Sequence, residues 1–488
     1  MQELSAMATH VASVMTPLQF TVVNANLGEV ALLAGIPIDQ MRFVVCLFLA
    51  YPLAMVHRVV RTPALKHWIN IAVGIIMAQF VYGPAWMHSF LSALVTYCII
   101  KFAPVRYAPY ASFAFNMVFV AGLHIHRMLT DYMGWSMDST GSQMLLLIKL
   151  TSFGFNVYDG MVPASSKILD TDSPQTRRVK QTRKELAVTT MPSLLEFFGY
   201  VYSFTTFLAG PSFEYREYID SVQATKFMLK GERREPSGMA EALTKFAIGA
   251  FFMALLAQFG YLADLPAILR MNQSVSKRFA RVLLALFLTR SRYYCAWKLA
   301  EGSTILAGFG FEGFRADGTP RGWNGVSNVD ILGFELAHSV RDMSRAWNKG
   351  TQLWLERYVY CRTGNSLMAT YMCSAVWHGF YPGYYLFFLT IPFVTSINRL
   401  ARKHIRPYFL RDDGSASPSK LLYDVFGMVC TLGIVNYLAV SFVVLSWEQA
   451  LSGFQAMHFA GHISLVVVYL LLSAVPVKKK VLSFLRRY

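Results

Sequence analysis

The chain is patterned as long apolar runs separated by short polar stretches that are mostly basic. A helix needs ~20 apolar residues to cross the hydrocarbon of a bilayer. Runs near that length lie at 41–60, 68–86, 88–102, 108–123, 143–160, 193–210, 241–262, 279–300, 366–378, 383–398, 422–446 and 461–477. Several are short or interrupted by Pro and Gly, as buried, tilted or re-entrant pieces are. Residues 22–36 predict an amphipathic segment lying on the membrane. The expected fold class is all-α, a polytopic membrane helix bundle of about 10–12 membrane segments. We expect one integral-membrane domain over 1–488.

Two stretches are polar enough to leave the membrane. Residues 163–190 predict a polar, basic loop. Residues 311–346 mix Trp, Phe and Leu with charge and predict a packed loop ahead of the segment that begins near 347. Residues 478–488 read as a basic cytosolic tail. The first residues lack the basic-then-apolar order of a cleaved signal peptide, so the first span is expected to serve as an uncleaved signal. No internal repeat is visible, which argues against the paired halves common in secondary transporters.

Composition sharpens this picture. Of 488 residues, 55% are hydrophobic and only 15% charged. Soluble domains carry about 25% charged residues, so no sizeable soluble domain is expected. The net charge of +17 is gathered in clusters such as 176–184, 230–234 and 399–411. Such clusters suit loops facing anionic lipid and speak against a nucleic-acid partner. The six cysteines, Cys46, Cys98, Cys295, Cys361, Cys373 and Cys430, show no CxxC or metal-ligand spacing, so neither disulfides nor a metal site is predicted. Asn272 opens an Asn-Gln-Ser acceptor sequence, which counts only in a lumenal loop.

One histidine stands out. Between Thr363 and Asn398 there is no Asp, Glu, Lys or Arg, and His378 is the readily titratable group. An ionisable residue inside a membrane is costly and points to function, although a neutral histidine bonded to a neighbouring helix explains a lone one equally well. Gly379, Pro382 and Gly383 follow within five residues, so a helix starting near Ser366 must stop at His378. There an imidazole can act as a general base. Thirty residues upstream, Asn348 and Thr351 interrupt an otherwise apolar and aromatic segment. An amide such as Asn348 can steady an oxyanion or hold a carbonyl, or simply cap a helix.

Trp347-Asn348 and Trp377-His378-Gly379, at this spacing, resemble the marks of the membrane-bound O-acyltransferase family. "WHGFYPGYYLFF" (377–388), "FLAGPSFEYREY" (207–218), "RYYCAWKLAEGSTILAGFGFEGF" (292–314) and "WNGVSNVDILGFELAHSVRDMSRAWN" (323–348) look like its lysophospholipid acyltransferase branch. Within that branch the match looks nearest to the broad-specificity fungal and plant enzymes. "MSRAWN" (343–348) stands where diacylglycerol and sterol acyltransferases carry Phe-Tyr-x-Asp-Trp-Trp-Asn. The likeness covers roughly residues 190–400; residues 1–190 match mainly as hydrophobic pattern.

The resemblance implies a helix bundle enclosing a catalytic chamber. It also implies acyl transfer from acyl-CoA to the free hydroxyl of a lysophospholipid, with His378 as base and Asn348 as its partner. Candidate substrate contacts are Trp347, Trp377, Thr351, Lys349, Arg357, Arg362, Tyr384 and Glu301. The three basic ones would hold CoA phosphates, though membrane-flanking charge explains them as well. Glu214, Arg216 and Glu301 are either structural pairs or substrate contacts. No cofactor is expected, acyl-CoA being the co-substrate. The expected partners are acyl-CoA, lysophospholipid and the bilayer; a homo-oligomer stays open. The expected location is the endoplasmic reticulum membrane, multi-pass. A family member with a protein or neutral-lipid acceptor, and a membrane transporter, are the alternatives.

Overall fold

The computed structural model describes residues 20–134, 136–411 and 413–474. The tail at 478–488 lies outside them, as do the first residues of the chain. Nearly every apolar run is a helix, and among the described residues the sheet is one antiparallel pair, Met228–Leu229 with Glu232–Arg233. Among the described residues, five stretches are long and apolar enough to cross a membrane: Ile38–Val59, Pro63–Phe102, Ala108–Thr130, Met239–Arg270 and Lys420–Val444. The pair Trp447–Ala456 and Ala460–Ala474, bent by 74°, makes a sixth if taken as one span. Fewer stretches meet this standard than the ten to twelve apolar runs because some helices are short and others carry charge. Thr140–Met161, for example, holds Lys149 and Asp159 among its buried residues.

The chain divides into two compact units, one of 1–251 with 295–328 and one of 252–294 with 329–488. This division has no marker in the sequence, where the apolar pattern runs on without a linker.

The first unit is built around rings. Phe213, Tyr218 and Phe309 stack with centroids 5.2–6.4 Å apart. Its most unusual element is the run at 193–210, expected as one span. A capping box of Ser193 and Glu196 starts the helix Leu194–Val201, which then stops. Residues 199–211 are all buried although the backbone after 201 is irregular. Irregular backbone at such depth needs partners from protein. The buried Lys149 supplies them: its Nζ donates to the carbonyls of Tyr200 at 2.5 Å and Val201 at 3.3 Å. These are the carbonyls that a terminating helix leaves open, and a cation there also suits the helix dipole.

In the polar loop at 163–190, Ser173 caps the helix Pro174–Leu186. In the stretch beginning at 311, Phe311 stacks on Phe227 at 5.3 Å and meets Trp323 at 5.1 Å, whereas residues 315–317 and 319–321 are exposed.

In the second unit, Arg290 grips Glu335 through two bonds of 2.9 Å and reaches Asn436 at 2.6 Å, while Tyr294 donates to Glu335 at 2.7 Å. The helices Pro382–His404 and Lys420–Val444 meet where Gly383 N–H donates to Leu445 O at 2.7 Å. A Cβ on Gly383 would lie 2.0 Å from Ser441 O, so only glycine permits this approach.

Lys149→Met should remove the Nζ bonds to both carbonyls; Ser203 N still reaches Tyr200 O at 3.5 Å, but the Val201 carbonyl loses its bond, at a cost of about 1–3 kcal/mol. The detergent-solubilised variant is expected to unfold at a lower temperature than wild type, with exposed Lys167→Met unchanged. Equal midpoints for all three would refute this role of Lys149.

Candidate active site

Asn348 and His378 both belong to the second unit, and each stands at a helix end. Asn348 is left-handed, with φ 42° and ψ 57°, a region asparagine visits more readily than most residues. It occupies the N-cap position of Lys349–Trp354, and its carbonyl accepts from Gln352 N at 2.9 Å. Its side chain makes no cap bond. The carboxamide is therefore not spent on starting the helix, which was the structural alternative to a chemical role.

The helix opens at once into a π-helical turn, Leu355–Val359, followed by a 3₁₀ turn, Tyr360–Arg362. Such π turns are rare and recur at functional sites. No sequence signal announced this one. Trp354 is buried and its ring lies 6.3 Å from that of Trp377, so the two candidate segments pack through their tryptophans.

His378 is the last residue of Leu367–His378, as the sequence predicts. Ser366 caps the start by accepting from Ala369 N at 3.2 Å. Gly379 ends the helix with φ 120° and ψ −164°, a region essentially reserved for glycine. His378 Nδ1 lies 2.7 Å from the Ser374 carbonyl oxygen. A carbonyl only accepts, so Nδ1 carries the proton, and the neutral ring then has its lone pair on Nε2. Four rings surround the imidazole, with centroids at 4.6 Å for Trp377, 4.8 Å for Phe388, 5.3 Å for Phe442 and 5.8 Å for Tyr384. The setting is one in which the imidazole is held in a fixed orientation among apolar walls.

Trp377 and Tyr384, expected from sequence as substrate contacts, lie against His378. The structure adds Phe388 and Phe442. Phe388 lies inside the motif run, whereas Phe442 sits in an ordinary apolar helix and carries no sequence signal. Trp347 packs on Phe334, Tyr293 and Tyr294 at 5.0–5.9 Å. These are the rings next to the Arg290–Glu335 pair, so that pair underlies the segment leading into Asn348. Thr351 is buried, and its hydroxyl has no hydrogen-bond partner among the described residues; a buried orphan hydroxyl suits a substrate contact. Lys349, Arg357 and Arg362 are half-buried.

Glu301 belongs to the first unit. It is fully buried, accepting from Lys298 Nζ and from Asn328 N at 2.7 Å each. Glu214 accepts from Asn156 at 2.9 Å, and Arg216 pairs with Asp220 at 2.9 Å. These three polar groups thus have structural partners.

A sequence model of the membrane-bound O-acyltransferase family matches residues 127–440. The chain is 29% identical over 466 residues to a lysophospholipid acyltransferase of Schizosaccharomyces pombe, covering 91% of this chain and 88% of that protein. It is 31% identical over 500 residues to a lysophospholipid acyltransferase of Saccharomyces cerevisiae, covering 95% and 78%. It is also 31% identical over 468 residues to the human membrane-bound glycerophospholipid O-acyltransferase 2, covering 91% and 86%.

Gly379→Ala forces a side chain into a glycine-only conformation, at a cost of order 1–3 kcal/mol. Its thermal unfolding midpoint should fall below that of wild type, and an unchanged midpoint would show that the helix end is not constrained as described.

Proposed function

The chain belongs to the membrane-bound O-acyltransferase family, and we propose that it transfers a fatty acyl group from acyl-CoA to the free hydroxyl of a lysophospholipid. The acceptors are lysophosphatidylcholine and lysophosphatidylethanolamine, and the setting is phospholipid remodelling in the endoplasmic reticulum membrane. The observation that supports this most is His378, with its Nδ1 tied to Ser374 O and four rings around it.

In this reading, Nε2 of His378 takes the proton of the glycerol hydroxyl as its oxygen attacks the thioester carbonyl. The carboxamide of Asn348 steadies the oxyanion that forms. Collapse of that intermediate breaks the carbon–sulfur bond, and the proton on Nε2 passes to the leaving CoA sulfur. The imidazole returns to its starting tautomer. The thioester is already activated, so neither a cofactor nor a covalent enzyme intermediate is needed. The aromatic walls keep water from competing with the lipid hydroxyl. Thr351, Trp377 and Tyr384 contact substrate, and Lys349, Arg357 and Arg362 hold the CoA phosphates.

The test uses labelled oleoyl-CoA with each lysophospholipid, in membranes from cells lacking their own activity. His378→Ala should lower the turnover rate by ~10²–10⁴ and Asn348→Ala by ~10²–10³, at matched expression. Equal activity in wild type and His378→Ala would remove the base. Activity in neither would turn attention to protein and neutral-lipid acceptors, and then to transport.

A further inference from the structure

A cavity of about 330 Å³ opens in the first unit where three helices end, at Val59, Met239 and Leu306. Its polar side is unusual. Three guanidiniums converge on the single carboxylate of Glu235: Arg61 at 2.9 Å, Arg58 at 3.3 Å, and Arg233. Burial would raise the Glu235 carboxyl, but Arg58, Arg233 and Arg61 outweigh it and hold it below the usual range. One carboxylate cannot balance three cations, so positive charge is left in excess. The buried Lys66 adds to the same field.

Arg58 is fixed in place. Its guanidinium lies 4.7 Å from the Phe227 ring and 5.4 Å from Trp323, and it donates to Pro236 O at 3.3 Å. Arg61, by contrast, is 67% exposed in its side chain and can turn to a ligand. The other wall is apolar and outward-facing: Met55 is 50% exposed, Val59 71% and Met239 38%. These three lie on Ile38–Val59 and Met239–Arg270, two of the stretches apolar enough to cross a membrane. The cavity therefore lies at the ends of two spans, the depth of a lipid headgroup.

We propose that this cavity binds an anionic phospholipid of the bilayer, its phosphate on Arg61 and Arg58 and an acyl chain along Met55, Val59 and Met239. A cavity of this size takes a headgroup, and the chain follows the exposed wall. Excess positive charge favours a net-negative headgroup over a zwitterionic one, whose ammonium would meet the same cations. Acyl-CoA also joins phosphate to a fatty chain. The bilayer is the favoured source because the apolar wall faces outward along two spans. Binding is measured without turnover, so the proposal stands apart from the acyl-transfer reading.

The full chain would be placed in nanodiscs of phosphatidylcholine containing a minor fraction of phosphatidic acid, and retained lipid read by native mass spectrometry. Wild type should retain phosphatidic acid in preference to phosphatidylcholine. Arg61→Glu should lower that retention about tenfold or more, the weight of one charge-assisted contact, while Arg61→Lys keeps most of it. Val59→Trp, which fills the mouth and leaves every charge in place, should also lower it. Unfolding midpoints equal to wild type would show that the variants fold. Equal retention in folded Arg61→Glu, no preference in wild type, or displacement of phosphatidic acid by equimolar oleoyl-CoA would each overturn the proposal.

Discussion

A helix that stops inside an apolar interior leaves its last carbonyls without partners, and a bilayer offers no water to take them. Both units are organised around such stops. In the first, Lys149 reaches across to the open end of Leu194–Val201, which lets the chain run on irregularly while staying buried. In the second, Gly379 closes Leu367–His378 by donating to Ala375 and Val376, and Gly383 passes the chain to Leu445. Each stop exposes backbone groups inside the packed protein where a continuous helix would present only side chains.

The two candidate catalytic groups are supported in different ways. His378 is held by its own helix, through the carbonyl one turn back, and by aromatic contact on several sides. Asn348 relies on what precedes it. The Arg290–Glu335–Tyr294 cluster fixes the rings on which Trp347 lies, and a backbone bond from Asp330 N to Ala346 O anchors the approach. A bidentate, partly buried ion pair is a costly device for stability alone; here it also secures the direction in which the chain enters Asn348.

Much of this was legible in the chain. Apolar run length located most helices within a few residues, because burying apolar surface and pairing the backbone leave a buried segment little alternative to a helix. The end of the helix at His378 was readable because Gly and Pro act locally. The stop at Val201 was not, because Lys149, which pairs its last carbonyls, lies some fifty residues away in the chain. The division into two units was equally invisible, since the apolar pattern runs on without a linker. For Glu301 the sequence left a structural pair and a substrate contact both open, and its structural partners, Lys298 and Asn328, become visible only in the fold.

The π-helical turn at Leu355–Val359 bears on how much length variation the site tolerates. Such a turn holds about one residue more than an α-helical turn. Loss of a single residue there would tighten it to ordinary α geometry and leave both flanks nearly where they were. The same loss within Leu367–His378 would swing the imidazole by about 100° around the helix axis and away from Phe388 and Phe442. The chain between amide and imidazole is thus elastic in one short stretch and unforgiving in the next.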